Sequence, residues 1–388
     1  MNEDVKRAFL LAVKILSSIT FILFSNCFPQ KQNPSFEMLT IPVGKGAASV
    51  EAADLNNDNL PDLAVANSED SSVTILLNAG KRKFIPAAGS PFYAGHAPND
   101  ISIEDLNKDG HLDLTIANHE RKHLTVLLGN GKGQFQPAPH SPFFVNVRPH
   151  THGVIIADFN GDGNPDIGTE SWGVDSIVIL QGDGKSNFSN PAFYATGKHP
   201  YQRLRTVDLN NDGKPDIVTT NLDGNDVTIL LGDGRGSFSK RLFKAGDTPF
   251  GVAIGDLTGD GNLDLAVVNS PSIAGNAGKD GLTILTGDGT GNFSRMEGSP
   301  FISGLSPSRV AIGDLNGDGV NDVAVTNYMG RSISVYYLHK KGAVSISTFA
   351  VGDHPSGVAI HDLDGDGKKD IIVSSHTENT ILIFFAKT

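Results

Sequence analysis

Apolar residues in this chain fall in short runs, each closed by glycine, asparagine or aspartate, and the runs return in one order. In one copy, residues 251–255 (Gly-Val-Ala-Ile-Gly) make a first run, an aspartate-rich stretch covers 256–264, and Leu265-Ala-Val-Val-Asn269 makes a second. Leu282-Thr-Ile-Leu285 follows, then a glycine-rich turn over 287–292, and Phe293 opens a fourth. Short β-branched and apolar runs bounded by turn residues predict strands joined by hairpins. The clearest copy of the aspartate-rich stretch is Asp314-Leu-Asn-Gly-Asp-Gly-Val-Asn-Asp322, leading into Val323-Ala-Val-Thr-Asn327. This nine-residue frame recurs seven times, with first residues Asp54, Asp105, Asp158, Asp208, Asp256, Asp314 and Asp362, at spacings of 51, 53, 50, 48, 58 and 48 residues. A sustained period of this size is the mark of a propeller or other repeat array. Four strands per repeat and seven repeats predict an all-β fold, a seven-bladed β-propeller over residues 36–388.

The two ends of the repeat region support closure of that ring. The seventh repeat stops at Thr380-Ile-Leu-Ile-Phe-Phe385, its third strand, and no fourth follows. An unattached run, Phe36-Glu-Met-Leu-Thr-Ile-Pro-Val43, precedes the first frame and resembles the fourth strands that begin at Phe238 and Phe293. The N-terminal strand is therefore expected to complete the last blade, which removes two exposed sheet edges at once.

Charge narrows the function classes. The net charge is −12, with no basic stripe, which argues against a nucleic-acid partner. Of the 43 Asp and Glu residues, 22 lie inside the seven frames, so a divalent cation in each loop would roughly cancel the excess. A single cysteine, Cys27, excludes an intramolecular disulfide. Residues 1–26 carry Lys6 and Arg7 and then a mostly apolar run from Phe9 to Phe24, the pattern of an export signal. The segment ends Leu23-Phe-Ser-Asn-Cys27, which resembles a relaxed bacterial lipobox with Cys27 as the lipidated residue. Phe24 and Asn26 depart from the usual residues of that motif. Residues 27–35 read as a proline-punctuated tether. The implied location is the bacterial cell envelope or surface, with lipid as the only membrane attachment.

In each frame, positions 1, 3, 5 and 9 carry Asp, Asn or Asp, Asp and Asp, with Gly usually at 6. Alternating oxygen donors in a tight loop suit Ca2+, a hard cation that takes about six to eight oxygens. An EF-hand needs flanking helices and a Glu at position 12, and position 12 of the second loop, Ile116, lies inside a strand. The frame, its period and the strand that follows resemble the FG-GAP (VCBS-type) repeats of the integrin α-subunit propeller. Phe250-Gly251 matches the FG element, whereas Ala66-Asn67, Ala117-Asn118 and Val268-Asn269 replace the GAP element, which points to a bacterial branch. The resemblance implies up to seven structural Ca2+ ions. Their ligands would be Asp54, Asn56, Asp58 and Asp62; Asp105, Asn107, Asp109 and Asp113; Asp158, Asn160, Asp162 and Asp166; and Asp208, Asn210, Asp212 and Asp216. The remaining loops would supply Asp256, Asp260 and Asp264; Asp314, Asn316, Asp318 and Asp322; and Asp362, Asp364, Asp366 and Asp370. Asn59 in place of Gly and Thr258 at position 3 make the first and fifth loops the weakest expected sites, and the all-carboxylate seventh the tightest. Filled coordination leaves no place for a substrate water, so the metal is expected to be structural.

The stretches Gly129-Asn-Gly-Lys-Gly133, Gly232-Asp-Gly-Arg-Gly236 and Gly287-Asp-Gly-Thr-Gly291 superficially match phosphate loops, but each precedes a Phe-led strand rather than a helix and reads as a hairpin turn. Blade connections are expected to gather on the face opposite the metal loops, where propellers commonly take ligands. The densest functional groups there are Arg148, His150 and His152, then Glu170, Trp172 and Asp175, then His199, Tyr201 and Arg203. The leading reading is a monomeric, non-enzymatic binding propeller for an extracellular or envelope protein or glycan. The alternative is a polysaccharide lyase or hydrolase using Arg148, His150, Tyr201 and Arg203. A lectin with a sugar pocket in every blade fits less well, because Trp172 has no counterpart in the other repeats.

Overall fold

The computed structural model describes residues 35–387, apart from Glu120, 146–150, Trp172 and 340–343. The leader, Cys27, most of the tether, Arg148, His150 and Trp172 lie outside the described residues. The described chain forms seven antiparallel sheets and no helix. Taking blade 4 as an example, the strands run Pro200–Val207, Asp216–Asn221, Asp226–Gly232 and Phe238–Lys244, in that order from the axis outward. Each innermost strand packs against the next, and Pro355–His361 of blade 7 returns to Ala47–Ala53 of blade 1, so the ring is closed.

Closure occurs where the two chain ends predict it. Phe36–Pro42 pairs antiparallel with Thr380–Ala386, from Phe36 opposite Ala386 to Pro42 opposite Thr380. The burial of Phe36–Pro42 alternates, as it does in Phe238–Lys244. An outermost strand covers its blade on one side only, and a period of two follows. In blades 1, 2 and 5 the outer strand is broken into two pieces, such as Phe84–Pro86 and Phe92–Tyr93, both on Ser72–Asn78. Prolines 86 and 91 bracket that break; proline has no N–H for the ladder.

The core is distributed rather than central. Seven apolar clusters each join neighbouring blades: Leu63, Val65 and Ile383 between blades 7 and 1, Ala64, Ala66 and Ile116 between blades 1 and 2, and so on around the ring. The middle strands are thus buried on both faces, which explains why Asp62–Asn67 and Asp264–Asn269 are buried along their whole length. Successive side chains in a strand point to opposite faces, so one strand feeds two clusters.

Candidate functional site

The aspartate loops join the first and second strands of every blade. Position 9 has a role that its sequence context does not announce. Asp322 is fully buried; its Oδ2 accepts the N–H of Leu315 at 2.9 Å and its Oδ1 the N–H of Leu338 at 3.1 Å. Asp62, Asp113, Asp166, Asp216, Asp264 and Asp370 repeat this pair of bonds, to the loop's second residue and to the end of the third strand. Each such carboxylate ties three strands at one end of its blade. Burial pushes the Asp322 carboxyl up to about 7, and the carboxylates of Asp318 and Asp314 add to the rise.

The other loop positions are built from short Asx turns. Asp314 accepts the N–H groups of Gly317, Asp318 and Gly319, and Asn316 Oδ1 that of Asp318. Position 6 must turn through a left-handed conformation, with φ of 83° at Gly319 and 67° at Asn59, a conformation that Gly and Asn adopt most readily. In the seventh loop the carboxylates of Asp362, Asp364 and Asp370 offer oxygens within 4.8 Å of one another. Hard oxygens converging in this way fit a Ca2+ ion. Asp364 is also ion-paired to Arg82 of blade 1 at 2.7 Å, and Arg82 reaches Glu37 at 2.8 Å and lies over the ring of Phe385. That bridge fastens the strand that closes the ring to the loop of its own blade and to blade 1.

On the opposite face the blade connections form a funnel of about 570 Å3 at the mouth of the central channel. Its wall is contributed by blades 1, 2, 5, 6 and 7, including Asn99, His119, Phe250, Tyr328, His376 and, among its deeper residues, Arg309. Leu305 and Met329, each 55% exposed, stand on its rim beside Ile273. None of these wall residues except Phe250 stood out in the sequence. One signal was available: the residue five positions before each frame reads Ser49, Asp100, Gly153, Arg203, Gly251, Arg309 and Gly357, a column that mixes charge with glycine.

This column builds a buried ionic cluster beneath the funnel. Arg203 pairs with Asp100, and its guanidinium lies 3.9 Å from Glu51. Gly153 leaves room for Glu170 of the second strand, whose Oε1 accepts the Gly153 N–H at 2.8 Å. Burial pushes Glu170 up to about 7, with Asp100 adding and Arg203 opposing. Arg309 is held down at about 9, first by burial and then by the Arg203 charge. Below the cluster, Glu51 and Arg205 share two smaller cavities walled by the innermost strands.

Of the site residues expected from sequence, His152, Glu170 and Arg203 are therefore in the channel wall and buried. His152 lies between the rings of His119 and Tyr201, at 4.8 and 4.3 Å, and Tyr201 continues the row to Phe250 at 5.3 Å. His199 Nδ1 lies 3.1 Å from an Asp223 carboxylate oxygen. His119 and Phe250, at the two ends of this row, also line the funnel, whose remaining wall comes from blades 1, 6 and 7 and from their neighbours in blades 2 and 5.

A folded-state carboxyl near 7, against the usual 4.5, keeps a proton that the unfolded chain releases. Glu170 thus favours folding below pH 4.5, and that contribution is lost as pH rises to about 7. The Glu170→Gln variant should gain melting temperature relative to wild type across this window and hold a constant difference above it. Parallel melting curves from pH 4 to 8 in saturating Ca2+ would remove this account of Glu170.

A closed ring of short antiparallel sheets, with an aspartate loop in every blade and a funnel over the axis, defines a repeat β-propeller. The chain belongs to the FG-GAP-like repeat family, whose model matches residues 54–116, 105–169, 208–267 and 314–373. No curated protein matches it in sequence. Among solved structures it is similar to an Agrocybe aegerita lectin described as recognising non-reducing terminal N-acetylglucosamine, at 17% identity and a TM-score of 0.55, covering 89% of this chain and 96% of that one. It is also similar to BBS1N, solved in complex with ARL6DN, at 14% identity and 0.62 over 92% and 98%. Kuenenia stuttgartiensis hydrazine synthase aligns at 12% identity and 0.61 over 88% and 96%. Identities this low establish the fold alone.

Proposed function

We propose that this protein is a calcium-stabilised, non-enzymatic binding propeller, held at a bacterial cell envelope by its lipidated N-terminus, that takes a protein or glycan ligand in the funnel opposite its metal loops. The funnel carries the reading. It is large enough for a ligand, it is walled by residues from five blades, and its rim places the exposed side chains of Leu305, Met329 and Ile273 together. Of two solved proteins of similar fold, one is described as recognising a sugar and the other is in complex with a protein, which fits either ligand class. The Ca2+ ions belong to the opposite face, where they would neutralise crowded carboxylates and stiffen the loops.

The test is a glycan array and a peptide array probed with the full chain, read beside depolymerisation of any polysaccharide that binds. Leu305→Asp alters an exposed rim position and leaves the blades intact. We expect a saturable ligand without turnover, bound at least about tenfold more weakly by Leu305→Asp, which sets an unpaired carboxylate against the apolar contact. Turnover of a bound polysaccharide would favour the hydrolase or lyase reading instead.

A further inference from the structure

Arg82 breaks the pattern of the hairpins that join third and outer strands. Two positions before the Phe that opens the outer strand, blades 2, 4 and 5 carry Gly133, Gly236 and Gly291, and blade 3 carries Ser186; blade 1 carries Arg82. The backbone is left-handed there in all five, with φ of 73°, 80°, 75°, 65° and 60° in that order. Glycine adopts this conformation freely and arginine at a cost, so Arg82 is held against its backbone preference. The position faces the aspartate loop of the preceding blade. Gly133 donates its N–H to the Leu55 carbonyl and Gly236 to that of Phe159, each at 3.0 Å. A Cβ at Gly236 would lie 3.7 Å from Asn160, position 3 of that loop. Arg82 meets position 3 of the seventh loop in the same way, and its Nε donates to Asp364 Oδ2 at 2.7 Å.

Asp364 is itself an exception. Five frames carry Asn at position 3 and the fifth frame carries Thr258, whereas the seventh has a carboxylate. Asn56, Asn107 and Asn210 each donate Nδ2 to the position-5 carboxylate of their own loop, at 3.0, 3.1 and 3.3 Å. An ionised Asp364 has no proton to give Asp366. Its two oxygens are engaged instead, Oδ1 by the Asp366 N–H at 3.2 Å and Oδ2 by Arg82. The frame with a fourth carboxylate is thus the frame that an arginine faces.

Resting on the calcium reading above, we propose that Arg82 is the resident cation of the seventh loop and sets its Ca2+ affinity below that of the second, third, fourth and sixth loops. A guanidinium bonded to a ligand oxygen takes up the charge that an entering ion would use, and its own charge repels that ion. Calcium entering the loop draws Asp364 from Arg82, and with it loosens the bridge to Glu37 of the closing strand. The coupling is reciprocal: a contact that weakens calcium binding is weakened by calcium to the same degree.

The full chain is dialysed to equilibrium against radiolabelled Ca2+ over a range of free concentrations, and bound ions per chain are counted. Asp366→Ala removes the position-5 carboxylate of the seventh loop and should delete one of the weakly held ions. Arg82→Gln should bring that same ion on at least about tenfold lower free Ca2+, the size expected when one charge-assisted bond to a ligand oxygen is removed. Arg82→Gly, which restores the residue of the other hairpins at a left-handed position, should give the same gain and decides the matter if Arg82→Gln misfolds. Melting supplies a second readout: Arg82→Gln should melt below wild type in EGTA, and the deficit should shrink in saturating Ca2+. Isotherms of both Arg82 variants that superimpose on wild type, loss of a tightly held ion in Asp366→Ala, or a melting deficit undiminished by Ca2+ would each overturn the proposal while leaving the calcium reading intact. A wild-type chain that binds no ion would overturn the calcium reading and this inference with it.

Discussion

Removing residues 36–42 from the full chain is expected to abolish the cooperative thermal transition, or to lower its midpoint by about 10 °C or more, equivalent to about 5 kcal/mol or more for a domain of this size. The strand pairs along all seven of its residues with Thr380–Ala386, and Val43 adds a further bond to the Asn379 carbonyl at 2.9 Å. Phe36 sits edge-on to Phe349 and Phe384, with centroids 5.5 and 6.2 Å away. Glu37 anchors the Arg82 bridge to Asp364. Its loss leaves the edge of Thr380–Ala386 open, and an open hydrophobic edge recruits other chains. Aggregation on heating, relieved by a synthetic peptide of residues 36–42, would be the signature in light scattering. An unchanged midpoint would mean that the ring holds without its closing strand.

Chelating calcium with EGTA should produce the second large effect, a fall in melting temperature together with the loss of up to seven bound ions per chain by elemental analysis. A ligand bound by the native state alone stabilises it with the logarithm of its concentration, so several sites in one ring add up. Two variants separate the metal from the hairpin bonds. Asp322→Ala strands two buried N–H groups, those of Leu315 and Leu338, at about 1–3 kcal/mol each, and should remain destabilising in EGTA. Asp318→Ala removes a carboxylate that accepts a bond from Val320 within its own exposed loop and faces His339, so in EGTA the loss should stay near or below about 1 kcal/mol. With Ca2+ present, both variants should lose the calcium-dependent gain of that loop. No bound ion and an unchanged midpoint would leave the frames as hairpin locks alone, with Asp322→Ala still costly.

The seventh loop lies beside the strand that closes the ring. Its all-carboxylate composition marks it from sequence as the tightest Ca2+ site. Arg82, folded against Asp364 from the neighbouring blade, is a competing partner that no reading of the loop itself supplies. A Ca2+ ion in that loop would draw on the same carboxylate as ring closure.

Much of the architecture was legible because each repeat carries its own signal locally. The period of the aspartate frames, the glycine or asparagine needed at position 6, the hairpin glycines before each Phe-led strand and the pairing of the chain ends all depend on residues close in sequence or on a motif present seven times. The hairpin reading of Gly232 to Gly236 holds in the same way: Asp233 and Ser237 close the turn with a bond of 2.9 Å. The funnel face was harder to read. The densest functional groups in the sequence fall in blades 3 and 4, yet His152, Glu170 and Arg203 are buried in the channel wall, while the funnel gathers residues from five other blades, 1, 2, 5, 6 and 7. Asp100 and Arg203 are 103 residues apart, and nothing in either repeat announces that the ring will set them side by side. Strand, turn and period are local properties, written into each segment by side-chain size and backbone preference. The channel, its buried charges and the funnel exist only once seven sheets close around an axis, because closure is what brings one position of every repeat to the same place.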